Sequence, residues 1–202
     1  ARWALNRFLE RLQRTYAFQS LLEGPGDGMT GIAGINSLGL GRSGVRVTVL
    51  STDPRQADFA SQIWRRYAPG DCQPQMLRQD PPGNLDGLDA QFDLVWNFNV
   101  VNRHPHPREL LEAMCRASKQ YVLVVVPNRK NYAFSLHRLH HRVTSQAWDH
   151  GPVDLLAAAP YRQILTAFGL HIREVSFVDC PWWPDIVDFG MLVSGVLPCL
   201  PG

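Results

Sequence analysis

The chain has 202 residues, 45% of them hydrophobic and 19% charged, with a formal net charge of +2. These values are those of an ordinary globular domain with a full core, and they exclude a disordered or fibrous chain. So small a net charge argues against a nucleic-acid surface, and lysine is confined to Lys119 and Lys130.

Trp3, Leu5, Phe8, Leu9, Leu12 and Tyr16 recur at helical spacing among Arg and Glu, which predicts an amphipathic helix over about 3–17. The start, Ala1 to Leu5, shows neither an initiator Met nor the apolar stretch of a signal peptide. Residues 18–23 read as a short apolar strand running into a glycine-rich turn. A helix is expected over 29–40, with Ile32, Ile35 and Leu38 inward and Gly39 and Gly41 ending it. Val45–Leu50 is β-branched and reads as the second strand. Arg55–Tyr67 reads as a helix, Gln73–Leu77 as a third strand, Phe92–Asn97 as the fourth, and Arg108–Ser118 as a helix.

Tyr121–Val126 is an unbroken apolar run closed by Pro127, the pattern of a central parallel strand covered on both faces. Helices are expected within 132–146 and 154–168, and His171–Val178 alternates as a late strand. The tail, 190–202, is apolar but too short to span a bilayer, and reads as packed, as a last strand, or as a truncated segment. Strands alternating with helices predict one Rossmann-like α/β domain over 1–202, a doubly wound, mostly parallel sheet with helices on both faces.

Ligands of such sheets bind beyond the carboxyl ends of the strands. After the first strand, Gly24, Gly26 and Gly28 allow a sharp turn and close backbone approach. The helix that follows is expected to aim free N–H groups at a carboxylate or phosphate. Asp53 follows the second strand and suits either a ribose or a cap on the helix that opens at Pro54. Asp80 follows the third strand, as an acceptor for an adenine amino group or as a solvated loop acid. Asn97 and Phe98 close the fourth, and Phe98 suits either a base or the core.

In this order the residues resemble the class I S-adenosylmethionine (SAM)-dependent methyltransferases, most like their type 11, small-molecule branch. Glu23-Gly-Pro-Gly-Asp-Gly28 is similar to the first motif of that family. Asp53 stands at its ribose position and Arg78-Gln-Asp80 at its adenine position. Phe92 to Val101 is similar to the fourth motif, and Tyr121 to Asn128 to the fifth strand and its exit. The likeness spans roughly 18–178. It implies SAM as cofactor, held by Glu23, Gly24, Gly26, Gly28, Asp53, Pro54, Asp80, Asn97 and Phe98. It implies methyl transfer to a small-molecule acceptor. The sequence departs at the first motif, where the family's acid stands two residues before the first glycine. Here that place is Leu22, with Glu23 adjacent to Gly24.

Two rival readings stand beside this one. Gly26-x-Gly28-x-x-Gly31 with Asp53 downstream matches a fingerprint for NAD(P)-dependent oxidoreductases. A non-catalytic SAM-binding module is the other. Against the first, no Tyr-x-x-x-Lys pair is present, and the length leaves little room for a substrate domain.

On the acceptor side, His104, His137 and His140 are the candidate general bases, and the catalytic group is otherwise unassigned. His137, His140 and His141 crowd one helix, but no acid joins them, and Arg138 and Arg142 would repel a cation, so no metal site is expected. In Asp179-Cys-Pro-Trp-Trp-Pro-Asp185, Trp182 or Trp183 is expected to line a pocket or lid, or to cover the sheet edge. Cys72, Cys115, Cys180 and Cys199 form no Cys-x-x-Cys pair, which fits free thiols in a reducing, cytoplasmic setting. The residues do not specify an oligomeric state.

Overall fold

The computed structural model describes residues 2–26, 32, 34–51, 53–78, 84–130, 134–145, 147–148 and 150–178. The elements run α1 (Arg2–Tyr16), β1 (Ser20–Glu23), α2 (Leu38–Arg42), β2 (Arg46–Leu50), α3 (Pro54–Tyr67), β3 (Gln75–Leu77), β4 (Phe92–Phe98), α4 (Pro107–Ala117), β5 (Ser118–Val125), α5 (Phe134–Val143) and α6 (Ala158–Ala167). Single 3-10 turns lie at Ile35–Ser37, Gly70–Cys72 and Val153–Leu156.

The strands form one sheet in the order β3-β2-β1-β4-β5, and all four pairings are parallel. Strand alternation sorts the core into two layers. Leu21, Val47, Val49, Leu94 and Trp96 face α1, α2 and α3 through Leu5, Leu9, Leu12, Leu40 and Trp64. Leu22, Leu50 and Val95 face α4 and α6 through Leu110, Leu111, Met114, Tyr161 and Leu165. The sheet is thus covered on both sides, as expected of a doubly wound fold. The start of β1 is tied to the start of β4 by Asp93, whose Oδ2 accepts from the N–H groups of Gln19 and Ser20, each at 2.9 Å. The Asp93 N–H donates in return to Ser20 Oγ at 3.1 Å.

The structure corrects three sequence expectations. Gly39 and Gly41 lie inside α2 rather than ending a helix, and Asn36, Ser37 and Leu40 are buried while Ile35 and Leu38 are only half-buried. The cause is Gly34. Its carbonyl accepts from Trp64 Nε1 at 3.2 Å and its N–H is held by Glu23, so the chain first makes a 3-10 turn. The apolar run expected at the centre of the sheet forms β5, which among the described residues pairs with β4 alone and is half-buried over most of its length. Among the described residues β5 is the sheet edge. His171–Val178 alternates but, among the described residues, joins no ladder, because alternation makes a strand only where an edge takes up its backbone groups. The segment is held by the Arg11–Glu174 ion pair and by Val178 against the α1 layer, while Phe177 is 63% exposed.

Trp64 is fully buried and binds the Gly34 carbonyl, so it joins α3, the 3-10 turn and the sheet. Trp64→Ala should destabilise the domain by about 3–5 kcal/mol, read as a lowered midpoint in urea with an unchanged slope.

Candidate functional site

The sheet order places a switch point at β1, from which the chain runs outward through β2 and β3 and then crosses to β4 on the other side. A cleft forms beyond the carboxyl ends of strands at such a point. The glycine-rich stretch leaves β1 there and is anchored to both neighbours. The Gly24 N–H donates to the Trp96 carbonyl of β4 at 2.9 Å, and the Gly26 N–H to the Leu50 carbonyl of β2 at 3.2 Å. Gly24 admits no side chain, since a Cβ would fall 2.6 Å from Leu50 Cβ. The glycine is required by the close approach of the loop to β2. Gly28 and Gly31 lie outside the described residues.

Glu23 ends β1 and is 1% exposed. Its carboxylate turns inward. Oε1 accepts from the Gly34 N–H at 2.9 Å and Oε2 from the Ser37 hydroxyl at 2.5 Å. Ser37 Oγ accepts in turn from Trp96 Nε1 at 3.2 Å. Burial pushes the carboxyl up to about 7, against the hydrogen bonds from Ser37 and Gly34 that favour the charged form. Glu23, expected at the cofactor, therefore has both oxygens engaged by the protein itself. The expected free amides after the loop are likewise not found at Gly34, which serves Glu23.

Asp53 is exposed at the end of β2 and caps α3, its Oδ1 accepting from the Arg55 N–H at 2.9 Å, with Pro54 as the first helical residue. The cap uses one oxygen, and a carboxylate accepts at two. Capping and ligand binding are thus compatible in one side chain. Asp80 lies outside the described residues. Asn97 is fully buried, and its amide nitrogen lies 3.2 Å from Met114 Sδ. Strand alternation puts it on the α4 side with Val95, so the structure turns it into the core layer. Its Oδ1 has no hydrogen-bond partner among the described residues. Phe98 is half-buried against the α1-side core.

The chain beyond β4 forms a tight polar knot that sequence reasoning passed over. Asn99, at φ +57°, is buried, and its Oδ1 accepts from Asn102 Nδ2 at 2.9 Å. The same Asn102 amide donates to the His150 carbonyl at 3.0 Å, which draws the loop after α5 onto the loop after β4. Three asparagines within 97–102 were the visible signal, since Asn adopts positive φ more readily than most residues.

The three candidate bases separate. His104 is half-buried, and its Nδ1 accepts from the His106 N–H at 3.1 Å, so the neutral ring carries its proton on Nε2. His140 Nε2 is buried without a partner among the described residues. His137 joins a cluster with His141 and His150. Cys72 and Cys115 are free, as expected, while Cys180, Cys199, Trp182, Trp183 and the tail at 190–202 lie outside the described residues. No helix among the described residues is long and apolar enough to cross a membrane.

Neither a family model nor a curated protein sequence matches the chain. Solved structures do. Magnesium protoporphyrin IX methyltransferase from Synechocystis PCC 6803 with bound SAH matches at TM-score 0.67 and 14% identity, over 88% of this chain and 77% of that one. The same enzyme with bound SAM matches at TM-score 0.61 and 16% identity, over 90% and 74%. The methyltransferase domain of bacterial CtHen1-CN matches at TM-score 0.58 and 12% identity, over 82% and 84%. The chain has the fold of the class I SAM-dependent methyltransferases.

The Glu23 carboxyl is raised in the folded state, from 4.5 to about 7. Below the unfolded value both states hold the proton. Between the two values the unfolded chain releases it while the folded chain keeps it, so stability falls as pH rises across this window. Glu23→Gln should flatten that part of the stability–pH curve, with a slope difference of up to about 1.4 kcal/mol per pH unit. Urea unfolding of both proteins from pH 4 to 8 measures it, and parallel curves would exclude a raised carboxyl at this position.

Proposed function

We propose that the chain is a SAM-dependent methyltransferase acting on a small-molecule acceptor. The observation that carries this reading is the joint placement of the glycine loop and Asp53. The loop is anchored across the ends of β2 and β4, and the exposed Asp53 carboxylate stands at the end of β2, beside the switch point. The fold likeness supports the same assignment.

The residues present fit a nucleoside. In this reading Gly24, Gly26 and Gly28 leave room for the methionine part, and Asp53, ordered by its cap and by Pro54, accepts from the ribose hydroxyls. Asp80 meets the adenine, and Phe98 lies along the base. Glu23 and Asn97 act from behind, one fixing the loop ends and the other filling the α4 layer. When bound, SAM supplies an electrophilic methyl on a sulfonium. The work left to the protein is to align the acceptor, exclude water and hold geometry, so positioning carries the rate. Where the acceptor must lose a proton, His140 has the buried nitrogen for it. A reducing, cytoplasmic setting agrees with the free Cys72 and Cys115 thiols.

Calorimetry with S-adenosylhomocysteine tests the ribose assignment. Asp53→Ala should weaken binding at least tenfold, or about 1.4 kcal/mol. It should also cost about 1 kcal/mol of stability through the lost cap. Asp53→Asn keeps a capping oxygen and should lose the affinity without that loss of stability. Equal affinity in all three proteins sinks the assignment. In a thermal-shift screen, SAM and S-adenosylhomocysteine should raise Tm and NAD(H) should not; the reverse pattern would favour the oxidoreductase.

A further inference from the structure

The loop after α5 brings together three imidazoles that the spacing of residues 137–141 alone does not reveal. His137 and His141 stand one turn apart on α5, and His150 enters from the loop. His137 Nε2 lies 2.8 Å from His150 Nε2 and 3.2 Å from His141 Nε2. One ligand atom from each ring falls within 4.8 Å of the other two.

We infer that His137, His141 and His150 form a binding site for one divalent, zinc-class metal ion. Four arguments carry it. The first is spacing: zinc–nitrogen bonds of about 2.0–2.1 Å at tetrahedral angles put ligand nitrogens ~3.3 Å apart, close to the 3.2 Å between His137 and His141, with His150 nearer at 2.8 Å. The second is proton accounting. A neutral imidazole nitrogen either donates or accepts, so among three converging on one point at least two are alike. His137 Nε2 faces both other rings and meets them only by sharing one proton or one lone pair between two partners, whereas a cation takes one lone pair from each ring. The third is ligand chemistry: three imidazoles suit zinc, cobalt, nickel or copper and not magnesium or calcium, which take oxygen.

The fourth is support around the rings. Trp148 packs on all three, with centroid distances of 5.7 Å to His137, 5.3 Å to His141 and 4.8 Å to His150. Trp148 Nε1 donates to the Gly151 carbonyl at 2.7 Å, and Asn102 donates to the His150 carbonyl at 3.0 Å. Gly151 has φ +78°, and a Cβ there would fall 1.8 Å from the Asn102 carbonyl oxygen, so the loop is seated against the chain after β4. Rings fixed in this way keep their ligand geometry, as outer-shell partners do in metal sites.

Arg138 and Arg142 line an open groove of about 360 Å³ together with His141 and Trp148. Arg142 is exposed and Arg138 half-buried at this open groove, where solvent screens both charges. Three neutral ligands leave a fourth position for water or an anion. The metal joins α5 to the His150 loop, and through Asn102 to the chain after β4.

The site is probed with metal alone and does not depend on the methyltransferase reading. Full-length, tag-free protein is stripped with a chelator and titrated with Zn²⁺ by calorimetry. One ion per chain is expected. His137→Ala, His141→Ala and His150→Ala should each weaken binding at least tenfold, while His140→Ala and His171→Ala should stay within twofold. The wild type with Co²⁺ should give the intense visible bands of a four-coordinate centre, a readout that needs no variant to fold. No stoichiometric uptake, a weak octahedral cobalt spectrum, or a His150→Ala protein that binds as tightly as the wild type overturns the site.

Discussion

The carboxyl edge of the sheet depends on one buried acid. Glu23 closes β1 and spends both oxygens on the turn that follows the glycine loop, at Gly34 and Ser37. Ser37 carries the restraint on to the Trp96 indole, and the Trp96 carbonyl returns it to the Gly24 N–H. Strand end, loop exit and loop return are thereby fixed to β4 as well as to β1. Burying a carboxyl in this way is costly unless its oxygens are satisfied. Here donors satisfy them, yet desolvation still holds the group near neutrality. Gly24 and Gly26 at the start of the glycine loop, and Gly34 beyond it, are each held by the core.

That constraint explains why the fold was legible and the role of Glu23 was not. The strands β1, β2 and β4 and the helices α3 and α4 follow from β-branched runs, amphipathic spacing and proline at the first helical position. Ser20–Glu23, however, is buried on every residue, because both faces of the central strand are covered. Burial of that kind erases the alternation that would tell which face Glu23 takes. The displaced acid of the first motif is the trace of this in the sequence. Its neighbour Leu22 points into the α4 layer, and Glu23 into the layer of Ser37 and Trp96. Asp53 was legible as a cap, since an acid placed before Pro54 at the opening of α3 asks for that role.

The edge of the sheet was less legible. An apolar run such as Tyr121–Val125 shows that a strand prefers cover but not which neighbour supplies it, and among the described residues β5 pairs with β4 alone. The alternation of His171–Val178 failed for the matching reason: a residue pattern carries no hydrogen bonds of its own. The histidines show the same limit at shorter range. Helical geometry puts 137 and 141 on one face and leaves 140 beside it, which spacing reveals. That the third imidazole comes from position 150 depends on a loop folding back onto Asn102, a contact between distant parts of the chain.

β4 is the element on which these separate features meet. Trp96 faces the clamp that fixes the glycine loop, and Asn97, the next residue, faces α4. Two residues further on, the backbone turns at Asn99, whose N–H is held by the Val125 carbonyl of β5 at 2.7 Å. Asn99 then holds Asn102, and Asn102 holds the loop that bears His150. The path from the glycine loop to the histidine cluster thus runs through one hydrogen-bonded parallel strand and a four-residue knot, with few freely rotating links. A sheet strand that carries both the Trp96 clamp on the glycine loop and the knot that holds the His150 loop fixes the one relative to the other.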